Sequence, residues 1–140
     1  MGPTPRQPKI LIVEDQPIAR RLLLSDLAER GMDLREAASV EEALAALDQC
    51  PDAVVLDLFL PGGSGLDIAR ALRSNPRTRN AGIIALSAHS AFEYQERAAA
   101  AGCDVYLVKP CTPEQLVDAI ETTLAAKCAE LIACTTQDAT

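Results

Sequence analysis

The run AVVLDLFLPGGSG, Ala53 to Gly65, decides the fold. It begins as a short, wholly apolar strand and ends on one carboxylate, Asp57. The chain then passes through Phe59 and Pro61 into three glycines, Gly62, Gly63 and Gly65. An apolar run of this length, bounded by turn residues, reads as a strand buried on both faces, the habit of a parallel sheet. An acidic side chain at the end of such a strand is costly unless something stabilises its charge. What stands beside Asp57 is therefore the question to answer.

Outward from this strand the same rhythm recurs. KILIVED (Lys9 to Asp15) is an apolar run closed by two acids. From Pro17 to Arg30, Ala19, Leu22, Leu23 and Leu27 keep helical spacing, and Gly31 stops the helix. DLREA supplies a brief strand, and Ser39 with Glu42 makes a capping box for VEEALAALDQC. After the Asp57 strand, Ser64 and Gly65 lead into the helix LDIARALRS, closed by Asn75-Pro76. AGIIALS is the fourth strand, and Ser90 with Glu93 is expected to cap the helix AFEYQERAAAA, which Gly102 ends. DVYLVK is the fifth strand, and Thr112, Pro113 and Gln115 open the last helix. Leu116, Ile120, Leu124, Cys128 and Leu131 extend its stripe past residue 127, leaving only TTQDAT to fray.

Five strands alternating with five helices make an α/β domain with a parallel sheet covered on both faces. Right-handed crossovers favour the order 2-1-3-4-5, the doubly wound, flavodoxin-like arrangement, with ligands bound beyond the carboxyl ends where strands one and three meet. The expected division is a tail over 1–7, one domain over 8–126, and a helix extension with a frayed tail over 127–140.

Composition narrows the function. A net charge of −7 with no basic stripe argues against nucleic acid or anionic membrane as direct partners. No apolar run approaches the ~20 residues of a membrane helix, and MGPTPRQPK lacks a secretory or myristoylation signal. A cytoplasmic protein is expected. The five cysteines, Cys50, Cys103, Cys111, Cys128 and Cys134, form no C-x-x-C pair and read as reduced thiols. His89, the single histidine, cannot build a histidine-rich metal site.

The carboxyl ends of the strands carry Glu14 and Asp15, then Asp57, Ser87 and Lys109, all at one edge of one sheet. Taken singly, each has an ordinary reading: Asp15 a helix cap, Glu14 a solvated charge, Asp57 an Asx-turn residue, Ser87 a loop hydroxyl, Lys109 a surface charge. Together they are not ordinary, because clustered carboxylates repel by about 4 kcal/mol per pair at an effective dielectric near 20. A cation must compensate, and oxygen ligands without thiol or imidazole suit a hard ion such as Mg²⁺. With the ammonium of Lys109 and the hydroxyl of Ser87, the ensemble can bind a tetrahedral oxyanion while one carboxylate attacks it.

These residues resemble the receiver domain of response regulators, the phosphoacceptor of two-component signalling, over residues 8–126. The marks are Glu14-Asp15, Asp57 after its apolar strand, LPGGSGLD, Ser87-Ala88, Tyr106 and Lys109-Pro110. The resemblance implies that Asp57 is phosphorylated by a sensor histidine kinase or a histidine phosphotransfer protein. It implies Mg²⁺ held by Asp15, Asp57 and the Phe59 carbonyl, with Glu14 acting mainly through bound water. Lys109 would pair first with Asp57 and then with the phosphoryl group, and Ser87 would bond a second phosphoryl oxygen. Ser87 and Tyr106 would form the switch, Tyr106 turning inward and changing the face read by a downstream protein target. The Lys109-Pro110 bond would be cis. Such a protein catalyses only its own phosphorylation and dephosphorylation.

The pattern departs mildly from the family's commonest form. Serine stands where threonine is frequent, Gly63 replaces a bulkier residue, and Phe59 and His89 occupy places that tune water access. A flavin carrier would share the fold, but its phosphate loop would not read EDQPIA, and aromatics are few. An aspartate-based phosphatase would want an acid where Phe59 stands. A single-domain regulator is the expected form. A receiver cut from a hybrid kinase and an interaction module that works without phosphorylation are the alternatives.

Overall fold

Five apolar runs become five parallel strands: β1 (Lys9–Val13), β2 (Asp33–Ala37), β3 (Ala53–Asp57), β4 (Gly82–Ser87) and β5 (Val105–Val108). The computed structural model describes residues 7–60 and 63–138, with the backbone alone at 63 and 130–138. The sheet runs in the order β2-β1-β3-β4-β5, as the sequence leads one to expect. Five helices cross it: α1 (Pro17–Leu27), α2 (Val40–Ala46), α3 (Gly65–Ser74), α4 (Phe92–Ala101) and α5 (Pro113–Asp138).

Alternating strand residues point to opposite faces, and here both faces are apolar. Leu11, Val13, Val54, Leu56, Ile83 and Ala85 pack against residues of α2, α3 and α4 such as Ala43, Ile68, Leu72 and Ala98. Ile10, Ile12, Val55, Ile84 and Leu86 pack on the other side against Leu27 of α1 and Leu116, Val117 and Ile120 of α5. Each fully buried Leu or Ile contributes about 1.5–3 kcal/mol, so the centre of the sheet is the rigid base for the loops at its carboxyl edge.

Capping explains most helix starts. Ser39 Oγ accepts from Glu42 N at 3.2 Å while Glu42 accepts from Ala38 N at 2.9 Å. Thr112 and Gln115 bond reciprocally at 3.1 and 2.8 Å. Ser64 and Asp67 form a third box, opening α3.

Four details differ from the sequence reading. The α1 hydrogen bonding stops at Leu27, and Ala28 and Arg30 turn back on Ser25 and Leu27 before Gly31 adopts φ +76°. Ser90 does not cap α4; Ala91 occupies the cap position without a side-chain bond. Residues Phe59–Leu60 and Gly63–Ser64 form a small antiparallel ribbon that the sequence reading leaves as loop. The backbone of α5 stays helical to Asp138, four residues into the tail expected to fray, because no glycine or proline interrupts 114–138. Pro61, Gly62 and the N-terminal six residues lie outside the described residues, as do the side chains of Leu131 and Cys134.

Candidate functional site

The site lies where β1, β3, β4 and β5 end. Glu14 and Asp15 follow β1 directly, and Glu14 N is held by the Ala37 carbonyl at 3.1 Å. Arg20 of α1 donates to the Glu14 carbonyl at 2.9 Å and pairs with Glu36 at 3.2 Å, fixing the turn that presents the acids. Asp57 closes β3. Behind it, Gly65 packs so tightly that a Cβ there would collide with the Asp57 carbonyl oxygen, and its N–H bonds the Leu58 carbonyl at 3.1 Å. No other residue fits that approach.

Glu14, Asp15 and Asp57 each offer an oxygen, and the three lie within 4.8 Å of one another. Glu14 is almost wholly buried, at 2% exposure. Lys109 Nζ reaches into this cluster, 3.0 Å from Asp57 Oδ2 and 3.5 Å from Glu14 Oε2. The latter is an ion-pair distance without a hydrogen bond, so Glu14 Oε2 is a buried oxygen with no hydrogen-bond partner. The Phe59 N–H donates to the other Asp57 oxygen at 2.9 Å. The Lys109-Pro110 bond is cis, as expected.

Charge is divided unequally in this cluster. Burial, followed by the hydrogen bond and repulsion of Asp57, pushes Glu14 up to about 7. Asp57 is also penalised by burial, but bonds from Glu14, the Phe59 N–H and Lys109 hold it below the usual carboxylate range. For Lys109, burial works against the charge, yet Asp57 and Glu14 keep the ammonium above its ordinary value. Asp57 is thus an ionised carboxylate with one oxygen held by an ammonium and the other by a backbone amide. That is the state a nucleophile needs.

Ser87, fully buried at the end of β4, accepts from His89 N at 3.1 Å. Tyr106, half-buried on β5 and packed against the core, donates its hydroxyl to the His89 carbonyl. The His89 ring lies 4.8 Å from that of Phe59 and 4.7 Å from that of Tyr94. Sequence reasoning names Phe59 and His89 as neighbours of the site but misses Tyr94 and Arg20, which carry no motif. Spacing offers one hint: Arg20 stands one helical turn inside α1. A cleft of about 520 Å³ between α1 and the loop after β5 opens onto Glu14 and Lys109, lined by Leu22, Leu23, Pro110 and Cys111.

A family model for the response regulator receiver domain matches residues 10–121. The chain belongs to this family. Its receiver fold is similar to that of a putative response regulator from Chloroflexus aurantiacus, with a TM-score of 0.80 and 33% identity, covering 85% of this chain and 98% of the other. It is also similar to the receiver domain of the sensor histidine kinase PA1611 from Pseudomonas aeruginosa, solved with a magnesium ion coordinated in its active site cleft. That match has a TM-score of 0.78 and 28% identity over 85% of this chain and 98% of the other. Among curated relatives, the phosphate regulon transcriptional regulatory protein PhoB of Klebsiella pneumoniae is 34% identical over 114 residues, 81% of this chain and 50% of the relative. The receiver chain thus spans about half the length of the curated relatives it matches. No helix among its described residues is long and apolar enough to cross a membrane.

Proposed function

We propose that this receiver takes a phosphoryl group from a phosphohistidine onto Asp57 and passes the change to a protein partner. The observation that carries the reading is the pairing of Lys109 Nζ with Asp57 Oδ2 at 3.0 Å inside a cluster of three acids. In the transfer, an Asp57 oxygen forms the new bond to phosphorus as the donor's P–N bond breaks, its electron pair returning to the imidazole. Phosphoryl transfer of this kind needs in-line positioning and charge neutralisation more than covalent machinery.

The donor set fits Mg²⁺. It is all oxygen, it is crowded, and Glu14 Oε2 is buried without a hydrogen-bond partner. Asp15, Asp57 and the Phe59 carbonyl would hold the ion directly, with Glu14 acting through water; bound there, it neutralises charge on the phosphoryl oxygens. Lys109 moves its contact from Asp57 to a phosphoryl oxygen, and Ser87 supplies a hydroxyl donor. Tyr106, tied to the His89 carbonyl, carries the change to the α4–β5–α5 face.

The phosphohistidine would come from a sensor kinase or phosphotransfer protein docking beside α1, where Ile18 and Leu22 are 77% and 60% exposed next to the cleft. The reaction makes the chain a self-modifying switch rather than an enzyme acting on other substrates. Its negative charge favours readout through protein contact over direct contact with nucleic acid, and a phosphohistidine donor charged from ATP would set the reaction in the cytoplasm. The acid cluster, Lys109 and Ser87 all lie within one domain, so action as a single-domain regulator is the first reading. A receiver within a longer protein is the second reading, favoured by the PhoB relatives, of which the match covers only half the length, and by the kinase-borne PA1611 domain.

Incubation with acetyl phosphate and Mg²⁺, followed by intact mass, tests the function. The reading expects a gain of one phosphoryl mass in the native chain and none in Asp57→Asn. No gain in the native chain favours an interaction module that works without phosphorylation.

A further inference from the structure

His89 meets every part of the switch region at once. Its N–H donates to Ser87 Oγ and its carbonyl accepts from the Tyr106 hydroxyl. Its ring meets two others, stacked on Tyr94 at 28° and tilted against Phe59 at 54°. Phe59 and Tyr94 close the triangle edge-on at 6.0 Å, and the Arg97 guanidinium lies 5.9 Å over Tyr94. Phe59 belongs to the loop after the acceptor strand and Tyr94 to the first turn of α4, so the imidazole joins the two. It does so where ordinary capping is missing, since Ala91 opens α4 with no side-chain bond.

We propose that the His89 ring is a positioning group: stacked on Tyr94 and tilted against Phe59, it holds the loop between β4 and α4 with Tyr106 bonded to its carbonyl, and thereby raises the affinity of the site for a phosphoryl group. This deepens, and rests on, the phosphoacceptor reading. Rings that only covered Asp57 would slow entry and escape alike, leaving the equilibrium constant unchanged. A ring that holds the loop shifts the equilibrium, because the arrangement it favours is the one a phosphoryl group selects. The backbone bonds of His89 do not need its side chain, so the ring's share can be removed separately.

The test uses the full chain with Mg²⁺ and beryllofluoride as the phosphoryl probe, measuring the equilibrium Kd, the Tyr106 ring resonances and the thermal midpoint. His89→Ala and Tyr94→Leu should each weaken binding about two- to tenfold, as loss of the stacked His89–Tyr94 pair they share implies, and shift Tyr106 outward. His89→Phe, which keeps a ring, should stay within about twofold of the native Kd, since it retains both ring contacts. An unchanged Kd in both His89→Ala and Tyr94→Leu, with only binding rates altered, overturns the proposal. So does failure of His89→Phe to restore affinity. Failure of the native chain to bind beryllofluoride would instead strike the phosphoacceptor reading itself.

Discussion

Lys109 Nζ sits 3.0 Å from Asp57 Oδ2, bridging the ends of two strands that are not neighbours in the sheet. After the hydrogen bonds from Glu14 and the Phe59 N–H, the ammonium supplies the counter-charge that helps Asp57 remain ionised despite burial. Replacing Lys109 with Ala should therefore slow phosphorylation by acetyl phosphate on the order of a hundredfold, the usual cost of losing one preorganised charged donor. Stopped-flow or timed intact-mass measurements check this; a rate within a few-fold of native would show that Lys109 is structural.

Glu14 should trade stability for metal binding. Its folded pKa, about 7, is raised above the ordinary 4.5, so the folded state disfavours its charge. Stability is thus lost as pH rises from about 4.5 through about 7, and the loss is complete above that window. In a chelator, Glu14→Gln should raise the thermal midpoint at pH 8 more than at pH 5. The same variant should bind Mg²⁺ more weakly. An equal midpoint gain at both pH values would contradict the assignment.

Phe59 is 51% exposed yet packs against the His89 ring beside Asp57. Its bulk should screen an aspartyl phosphate from water. Dephosphorylation of Phe59→Ala should be several-fold faster than native, a change of about 1 kcal/mol in barrier. Equal rates, followed by loss of phosphoryl mass, would remove this role.

Arg73 predicts the opposite pattern, a loss of stability that spares the chemistry. Its half-buried guanidinium donates to the carbonyls of Gly102, Arg79 and Ala81 and pairs with Asp104 at 2.9 Å. Asp104 also takes the Ile83 N–H at 2.9 Å and Lys127 at 3.0 Å. Arg73→Leu strips several charged hydrogen bonds at once and should cost about 2–4 kcal/mol in urea unfolding. At low temperature, phosphorylation should proceed at nearly the native rate.

The sheet and the acid cluster were legible because both are written in short contiguous signals: apolar runs closed by Glu14-Asp15, Asp57 and Lys109, and capping pairs such as Ser39–Glu42 and Thr112–Gln115. The Ser90–Glu93 pair carries the same local signal and fails. In the folded chain the segment before α4 is held by the His89 ring and backbone instead. The Phe59–Tyr94 contact and the Tyr106–His89 bond join separate elements, which spacing cannot announce, and Arg20 leaves only the hint of its place one turn inside α1. The early stop of α1 reflects the last turn tightening to three-residue bonds before Gly31.

Reduction of the acyl phosphate by borohydride tests the central claim most directly. After treatment with acetyl phosphate and Mg²⁺, peptide mass spectrometry should find homoserine at position 57 and nowhere else. Homoserine at another acid, or label surviving as a stable ester on Ser87, would contradict the account.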